Sequence, residues 1–209
     1  MTPLLYNLIQ GRNLERLAAL SDCIFAVAMT LLVLDLHVPS SAQVHTDREL
    51  LAALAAMAPQ WITYGMSFLT LGIFWAGQQT QLNYIREGTR DLTWIHLGFL
   101  FVTTLVPFST RLLAEFITYR LALGIYWLNI VAMGAMLYWS WMYAARAGLI
   151  KAEISEEVRL SICRRILIAQ ILYAVGAALC SVSVWLSIAV IVLVQLNYAI
   201  APRFRRREK

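Results

Sequence analysis

Charge is what this 209-residue chain has least of. Asp, Glu, Lys and Arg together make up 14% of it, against 60% for hydrophobic residues. A soluble domain of this size carries roughly 25% charged residues. Mean hydropathy is +0.67. The shortage excludes an ordinary soluble globule and points to an integral membrane protein. The three cysteines, Cys23, Cys163 and Cys180, lie in or beside apolar stretches without metal-ligand spacing. They read as small packing residues, and no disulfide is expected. The three histidines, His37, His45 and His96, are scattered. There is no Cys-x-x-Cys, no His-Glu-x-x-His and no glycine-rich phosphate loop. These absences speak against an enzyme, a resident metal and a cofactor.

What remains is organised by hydrophobicity. A bilayer core about 30 Å thick needs about 20 apolar residues per crossing. Apolar stretches run over about 16–36, 51–79, 92–112, 119–146, 160–180 and 182–201, so an all-α fold of six transmembrane helices in one domain, 1–209, is expected. The last two are divided only by weak breakers, Gly176 and Cys180-Ser181-Val182-Ser183. An outer loop should lie at about 37–50 and an inner one at about 147–159, where Ser155 followed by Glu156 and Glu157 has the form of a helix start. The first stretch is too long for the core of a cleavable signal, and none is expected.

The net charge of +5 would suggest nucleic acid in a soluble protein. Here its distribution reports topology instead. Fourteen of the 17 Lys and Arg residues fall at the N-terminal end (Arg12, Arg16), in the second and fourth connections (Arg86, Arg90, Arg146, Lys151, Arg159, Arg164, Arg165) and in the tail (Arg203, Arg205, Arg206, Arg207, Lys209). Only Arg48, Arg111 and Arg120 fall on the other side. This places both termini in the cytoplasm of a multi-pass protein of the cell membrane, as an even number of crossings requires. The basic tail reads as topology plus attraction to anionic lipid. Trp61, Tyr84, Trp94, Tyr119 and Tyr143 suit interfacial anchoring. Trp75, Trp127 and Trp139 lie within helices and read as bundle packing.

The first apolar stretch, RLAALSDCIFAVAMTLLVLDL, is the informative one. At 100° per residue, Leu20, Cys23, Thr30, Leu31 and Leu34 fall within about 60° of Val27 and form one stripe. Ser21 and Asp22 point away from it. An intramembrane aspartate costs about 2.5–3.5 kcal/mol on insertion scales unless it is paired or wet. If the stripe faces a symmetry axis, Asp22 must face the protein's own bundle and accept hydrogen bonds there. Arg16, near the boundary, could join the same network or be a topology charge. Asp35 could be a helix-end charge in water. His96 could be a hydrogen-bonded packing residue. On the residues alone, the stripe reads first as an ordinary helix-packing face.

This helix resembles the signature of the transmembrane protein 175 family, whose members are potassium-permeable channels. The family motif is Arg-x-x-x-Phe-Ser-Asp, then an apolar run with a threonine, ending near Val-Pro. It stands here as Arg16, Leu20, Ser21 and Asp22, running through Thr30 to Pro39. GIFW with Trp75, and VPFSTRLLAEF with Pro107, Phe108, Thr110 and Glu115, extend the similarity over most of the chain. The chain departs from the pattern at four places. Leu20 stands for Phe, Cys23 for a small residue, and Gly77-Gln78-Gln79 for a segment that typically holds His. His96 stands where a polar residue such as Asn is common. Gln78, Gln79 or His96 are therefore candidate partners for Arg16 or Asp22.

The resemblance implies a homotetramer whose first helices line a central pore. Val27 and Leu34 would form its hydrophobic constrictions and Thr30 its selectivity-related ring, with Leu20, Cys23 and Leu31 as further lining candidates and Asp35 at the outer mouth. Such a pore differs from a filter of backbone carbonyls, and no TVGYG-like loop is present. Potassium ions, the bilayer and further copies of the chain are the implied partners. Two other classes stay open: a proton-conducting channel or transporter using His96, Asp22 and Arg16, and a non-transporting membrane scaffold.

Overall fold

The computed structural model describes residues 14–200 except 41 and 43. Arg12 and the basic tail, Arg203, Arg205, Arg206, Arg207 and Lys209, lie outside the described residues. Among these the regular structure is helical, with a single isolated bridge between Ile85 and Ile150. The helices are α1 (Leu14–Leu34), α2 (Asp47–Ala56), α3 (Ala58–Tyr84), α4 (Arg90–Thr104), α5 (Val106–Glu115), α6 (Arg120–Arg146), α7 (Glu156–Ala178) and α8 (Val184–Ile200). A short 3-10 turn, Leu179–Ser181, joins the last two.

Two apolar stretches are each divided. Thr46 and Glu49 form a capping box that starts α2 ten residues before Ala56, so helix begins inside the expected outer loop. Pro59 sits in the first turn of α3 and Pro107 in the first turn of α5, where a missing N–H costs nothing. The same proline cannot lie inside a continuous helix, which is why the 92–112 stretch breaks at Leu105. The expected start at Ser155 is present, its hydroxyl accepting from Val158 N. Gly148, at φ 69°, supplies the left-handed residue that ends α6. The segment around Cys180 does separate two helices.

Four segments are long and apolar enough to cross a membrane: Leu14–Leu34, Arg90–Glu115, Arg120–Arg146 and Glu156–Ser181. Ala58–Tyr84 has the length, at 27 residues, but its last turns carry Gln78, Gln79, Gln81 and Asn83. Val184–Ile200 has the composition but only 17 residues.

The connections sort into two ends. At one, the α3–α4 and α6–α7 connections pair directly: Arg86 N donates to Leu149 O, Lys151 N to Tyr84 O, and Lys151 Nζ to Asn83 O. At the other, Arg120 donates to Ser181 O and Arg111 lies 3.7 Å from Asp35. The first end holds the connections that are rich in Lys and Arg.

α3 is central and packs against α1, α5, α6 and α8. The main core is aliphatic and aromatic, with Phe25, Met66, Phe74, Phe99 and Met133 nearly inaccessible. A hydroxyl layer crosses it. Thr110 Oγ1 donates to Ser67 Oγ at 2.6 Å, Ser67 and Thr70 meet the Tyr126 hydroxyl at 3.4 and 3.0 Å, and Gln195 Nε2 donates to Thr70 at 2.7 Å. This layer ties α8, the most apolar helix, to α3. Gly134 gives α7 its close approach to α6, because a Cβ there would fall inside the Gln170 side chain. The aromatics depart from expectation. Trp75 and Trp139 are exposed and Trp141 is the buried tryptophan, so helix interiors and bundle interiors are different places.

Interhelical hydrogen bonds in membranes are worth about 0.6 kcal/mol on average and up to about 1.7. Tyr126→Phe, which removes the shared hydroxyl, is expected to cost about 1 kcal/mol in the thermal unfolding of purified protein. Tyr119→Phe, at an exposed position, is expected to leave the midpoint unchanged.

Candidate functional site

α1 carries two opposite faces. Leu17, Ser21, Phe25, Ala28 and Leu32 are buried against α3, α4 and α5. Leu20, Cys23, Val27, Thr30, Leu31 and Leu34 are all exposed, Val27 at 56% and Leu34 at 73%. The stripe found from helical spacing is thus the face that the rest of the chain leaves bare. Thr30 Oγ1 donates to Val27 O at 2.9 Å. That bond uses the hydroxyl's only proton, so its lone pairs are what it offers to the open side.

Two hydrogen-bonded sets hold the covered side. In the buried one, Ser21 Oγ donates to Leu17 O at 2.8 Å and accepts from Gln78 Nε2 at 2.6 Å. Gln78 Nε2 also meets His96 Nε2 at 2.7 Å. With the amide donating to both, the imidazole accepts at Nε2. All three side chains are essentially inaccessible. In the second set, Asp22 Oδ1 accepts from Trp75 Nε1 at 2.8 Å and from Gln79 Nε2 at 2.6 Å. These charge-assisted bonds fasten α1 to α3 at an exposed edge.

Ser21, Asp22, Trp75, Gln78, Gln79 and His96 are therefore brought together, but as two groups. Gln79 partners Asp22, whereas Gln78 and His96 partner Ser21. Arg16 lies exposed near the start of α1. Asp35 sits at the opposite end beside Arg111. Sequence reasoning missed the Ser67–Thr70–Thr110–Tyr126–Gln195 layer and the role of Arg111. A signal was available for the first, since the amides Gln195 and Asn197 interrupt a long apolar run.

Among the described residues, no group of three or more His, Cys, Asp or Glu side chains could hold a metal ion. The site offers a bare helix face with one hydroxyl, anchored from behind by amide, imidazole and carboxylate contacts. The family model described as endosomal/lysosomal potassium channel TMEM175 matches residues 16–107, the segment that contains both groups. Over that segment the chain is similar to the TMEM175 family. It is 34% identical to the potassium channel B446_29190 of Streptomyces collinus over 64% of this chain and 65% of that one. It is 29% identical to the potassium channel Cha6605_3372 of Chamaesiphon minutus over 88% of this chain and 93% of the other. The endosomal/lysosomal proton channel TMEM175 of Mus musculus is 33% identical over 44% of this chain, but the match takes in only 19% of that protein. A solved structure, that of a lysosomal potassium-selective channel TMEM175 homolog from Chamaesiphon minutus, superimposes with a TM-score of 0.79. It is 27% identical, over 91% of this chain and 98% of its own. Family and structural neighbour are ion channels, not enzymes, and the chain is a multi-pass membrane protein.

The two groups differ in burial, and this gives a test of the anchoring. Gln78→Leu leaves Ser21 and His96 buried without their shared donor and is expected to cost about 1–3 kcal/mol. Gln79→Leu leaves Asp22 with Trp75 at an exposed edge and is expected to cost about 1 kcal/mol or less. Thermal unfolding of the two purified variants beside the parent measures the order.

Proposed function

We propose that this chain is a potassium-permeable cation channel. It assembles as a homotetramer in the cell membrane with α1 lining the central pore. Each subunit crosses six times, α2–α3 and α4–α5 each making one crossing, and both termini are cytoplasmic. α1 has 21 residues, which at 1.5 Å per residue gives about 31 Å, the thickness of the hydrocarbon core. The sorting of connections into two ends, one rich in Lys and Arg, supports this topology.

The observation that carries the reading is the bare face of α1. One subunit cannot enclose a pore with a single stripe, but copies around an axis can. Rings of Val27 and Leu34 then make apolar constrictions that close by narrowing or dewetting. Leu20, Cys23 and Leu31 fill the wall between and below them. The Thr30 ring offers oxygen lone pairs to a cation that has shed part of its water. Hydroxyl rings replace hydration poorly, and potassium sheds water more easily than sodium, so the preference for potassium is modest. Asp35 stands at the outer mouth, where its attraction for cations is partly offset by Arg111. The Streptomyces and Chamaesiphon relatives, named potassium channels, support this reading.

A proton-conducting channel is the second reading, favoured by the name of the murine relative. In this chain His96 and Asp22 belong to separate hydrogen-bonded groups. Among the described residues no hydrogen bond joins the two groups directly.

Flux from liposomes holding purified protein tests both. Potassium efflux exceeding sodium efflux, with the ratio altered in Thr30→Val and the rate raised several-fold in Leu34→Ala, is the expected result. Flux that follows only a proton gradient, or potassium flux indifferent to every substitution on the bare face, contradicts it.

A further inference from the structure

At the end of the bundle where α1 stops, a cavity of about 560 Å³ is lined by His37, Gln60, Phe108, Arg111, Leu112, Glu115 and Phe116. Its chemistry is divided. Arg111 supplies a guanidinium with five N–H donors, yet among the described residues its one ion-pair contact is Asp35 at a loose 3.7 Å, and it makes no hydrogen bond. Glu115 makes no hydrogen bond or ion pair among the described residues. The two stand at i and i+4 on α5, the spacing at which opposite charges on a helix usually meet, and they do not meet. The Gln60 Oε1 is buried beside them without a partner.

A positive and a negative group held apart on one wall fit a zwitterion, its anionic end on Arg111 and its ammonium on Glu115. The surroundings say which one. Phe108 is 64% exposed and Phe116 46%, and Phe116 packs edge-on against the exposed Tyr119 with centroids 5.8 Å apart. Exposed tyrosines at helix ends are a mark of the bilayer interface, so Tyr119 sets this end of the bundle among headgroups, with the two phenyl rings on the apolar side of it. Leu112 and the two phenyl rings offer a surface for the first carbons of acyl chains.

We propose that this cavity is a headgroup site for an outer-leaflet phosphatidylethanolamine. The phosphate sits on Arg111, the primary ammonium donates to Glu115 and to the Gln60 carbonyl, and the chains pass over Phe108 and Phe116. A choline headgroup lacks the N–H donors and a glycerol headgroup lacks the cation, so neither satisfies Glu115. Arg111 is then shared between the lipid phosphate and Asp35, one residue beyond Leu34, which couples headgroup occupancy to the end of α1. The choice of the outer leaflet rests on the topology proposed above, and the site is independent of what the chain conducts.

The test is lipid retention. Protein is reconstituted into vesicles of equal parts phosphatidylethanolamine, phosphatidylcholine and phosphatidylglycerol. It is re-extracted and purified, and its bound lipid is quantified by mass spectrometry. A hydrogen bond to a charged group predicts about tenfold enrichment of phosphatidylethanolamine over phosphatidylcholine. Arg111→Gln and Glu115→Gln are expected to abolish the enrichment. Glu115→Asp is expected to keep it, which guards against a folding defect, as is Arg86→Gln at the opposite end. Three results overturn the proposal: no enrichment in the parent protein, enrichment indifferent to Glu115→Gln, or a preference for phosphatidylglycerol. Displacement of the lipid by equimolar glycerophosphoethanolamine would instead assign the cavity to soluble zwitterions and overturn the lipid assignment.

Discussion

Everything about α1 depends on how it is held from behind. Ser21, Gln78 and His96 form a fully buried contact between α1, α3 and α4. Asp22, Trp75 and Gln79 form a second one at the edge. Polar groups in hydrocarbon are costly unless paired, so these side chains have few alternatives, and the rotation of α1 about its own axis is fixed. Phe25, Ala28 and Leu32 then fall into the core, and Val27, Thr30 and Leu34 are turned out. A helix of this composition without those anchors has a hydrophobic surface on nearly every side and no reason to prefer one rotation. The polar groups supply orientation, and the apolar ones supply the packing that follows from it.

The same division recurs higher in the bundle. Lipid tails are as apolar as leucine, so a bundle gains specificity from close packing and from hydrogen bonds between helices. Here the hydroxyl layer centred on Tyr126 and the approach of α7 over Gly134 serve those two ends. Neither touches the bare face of α1. α1 is packed against its own chain on one side and left bare on the other, and the bare side is the one that the proposed assembly would use.

Much of this was legible in sequence, and for a physical reason. Hydrophobic length and the Lys and Arg distribution are set by the bilayer, so the apolar stretches and the shared ends of the connections could be read without coordinates. The stripe of α1 followed from 100° spacing, and Asp22 from the cost of burying a charge. The breaks at Met57 and Leu105 were harder, because each hydrophobic stretch runs through its proline without a change in composition. The pairing of polar residues was only half legible. Gln78, Gln79 and His96 were candidates, but the adjacent Gln78 and Gln79 point in different directions, and sequence alone does not say that Gln79 meets Asp22 while Gln78 meets Ser21. The Tyr126 layer draws on four helices and leaves no local spacing to detect. Arg111 read as a minor topology charge because Asp35, far from it in sequence, comes beside it only in three dimensions.

The central claim is that the uncovered face of α1 lines water rather than lipid. Cys23 lies on that face and is exposed, whereas Cys180 is buried. A thiol in hydrocarbon does not form the reactive thiolate, and a charged reagent cannot reach it. The most direct measurement is therefore modification of Cys23 by a charged methanethiosulfonate in proteoliposomes while potassium flux is recorded. The account predicts that flux falls as Cys23 is labelled and that Cys23→Ser is insensitive. Flux that persists with Cys23 unreactive, or a block that survives Cys23→Ser, would contradict it.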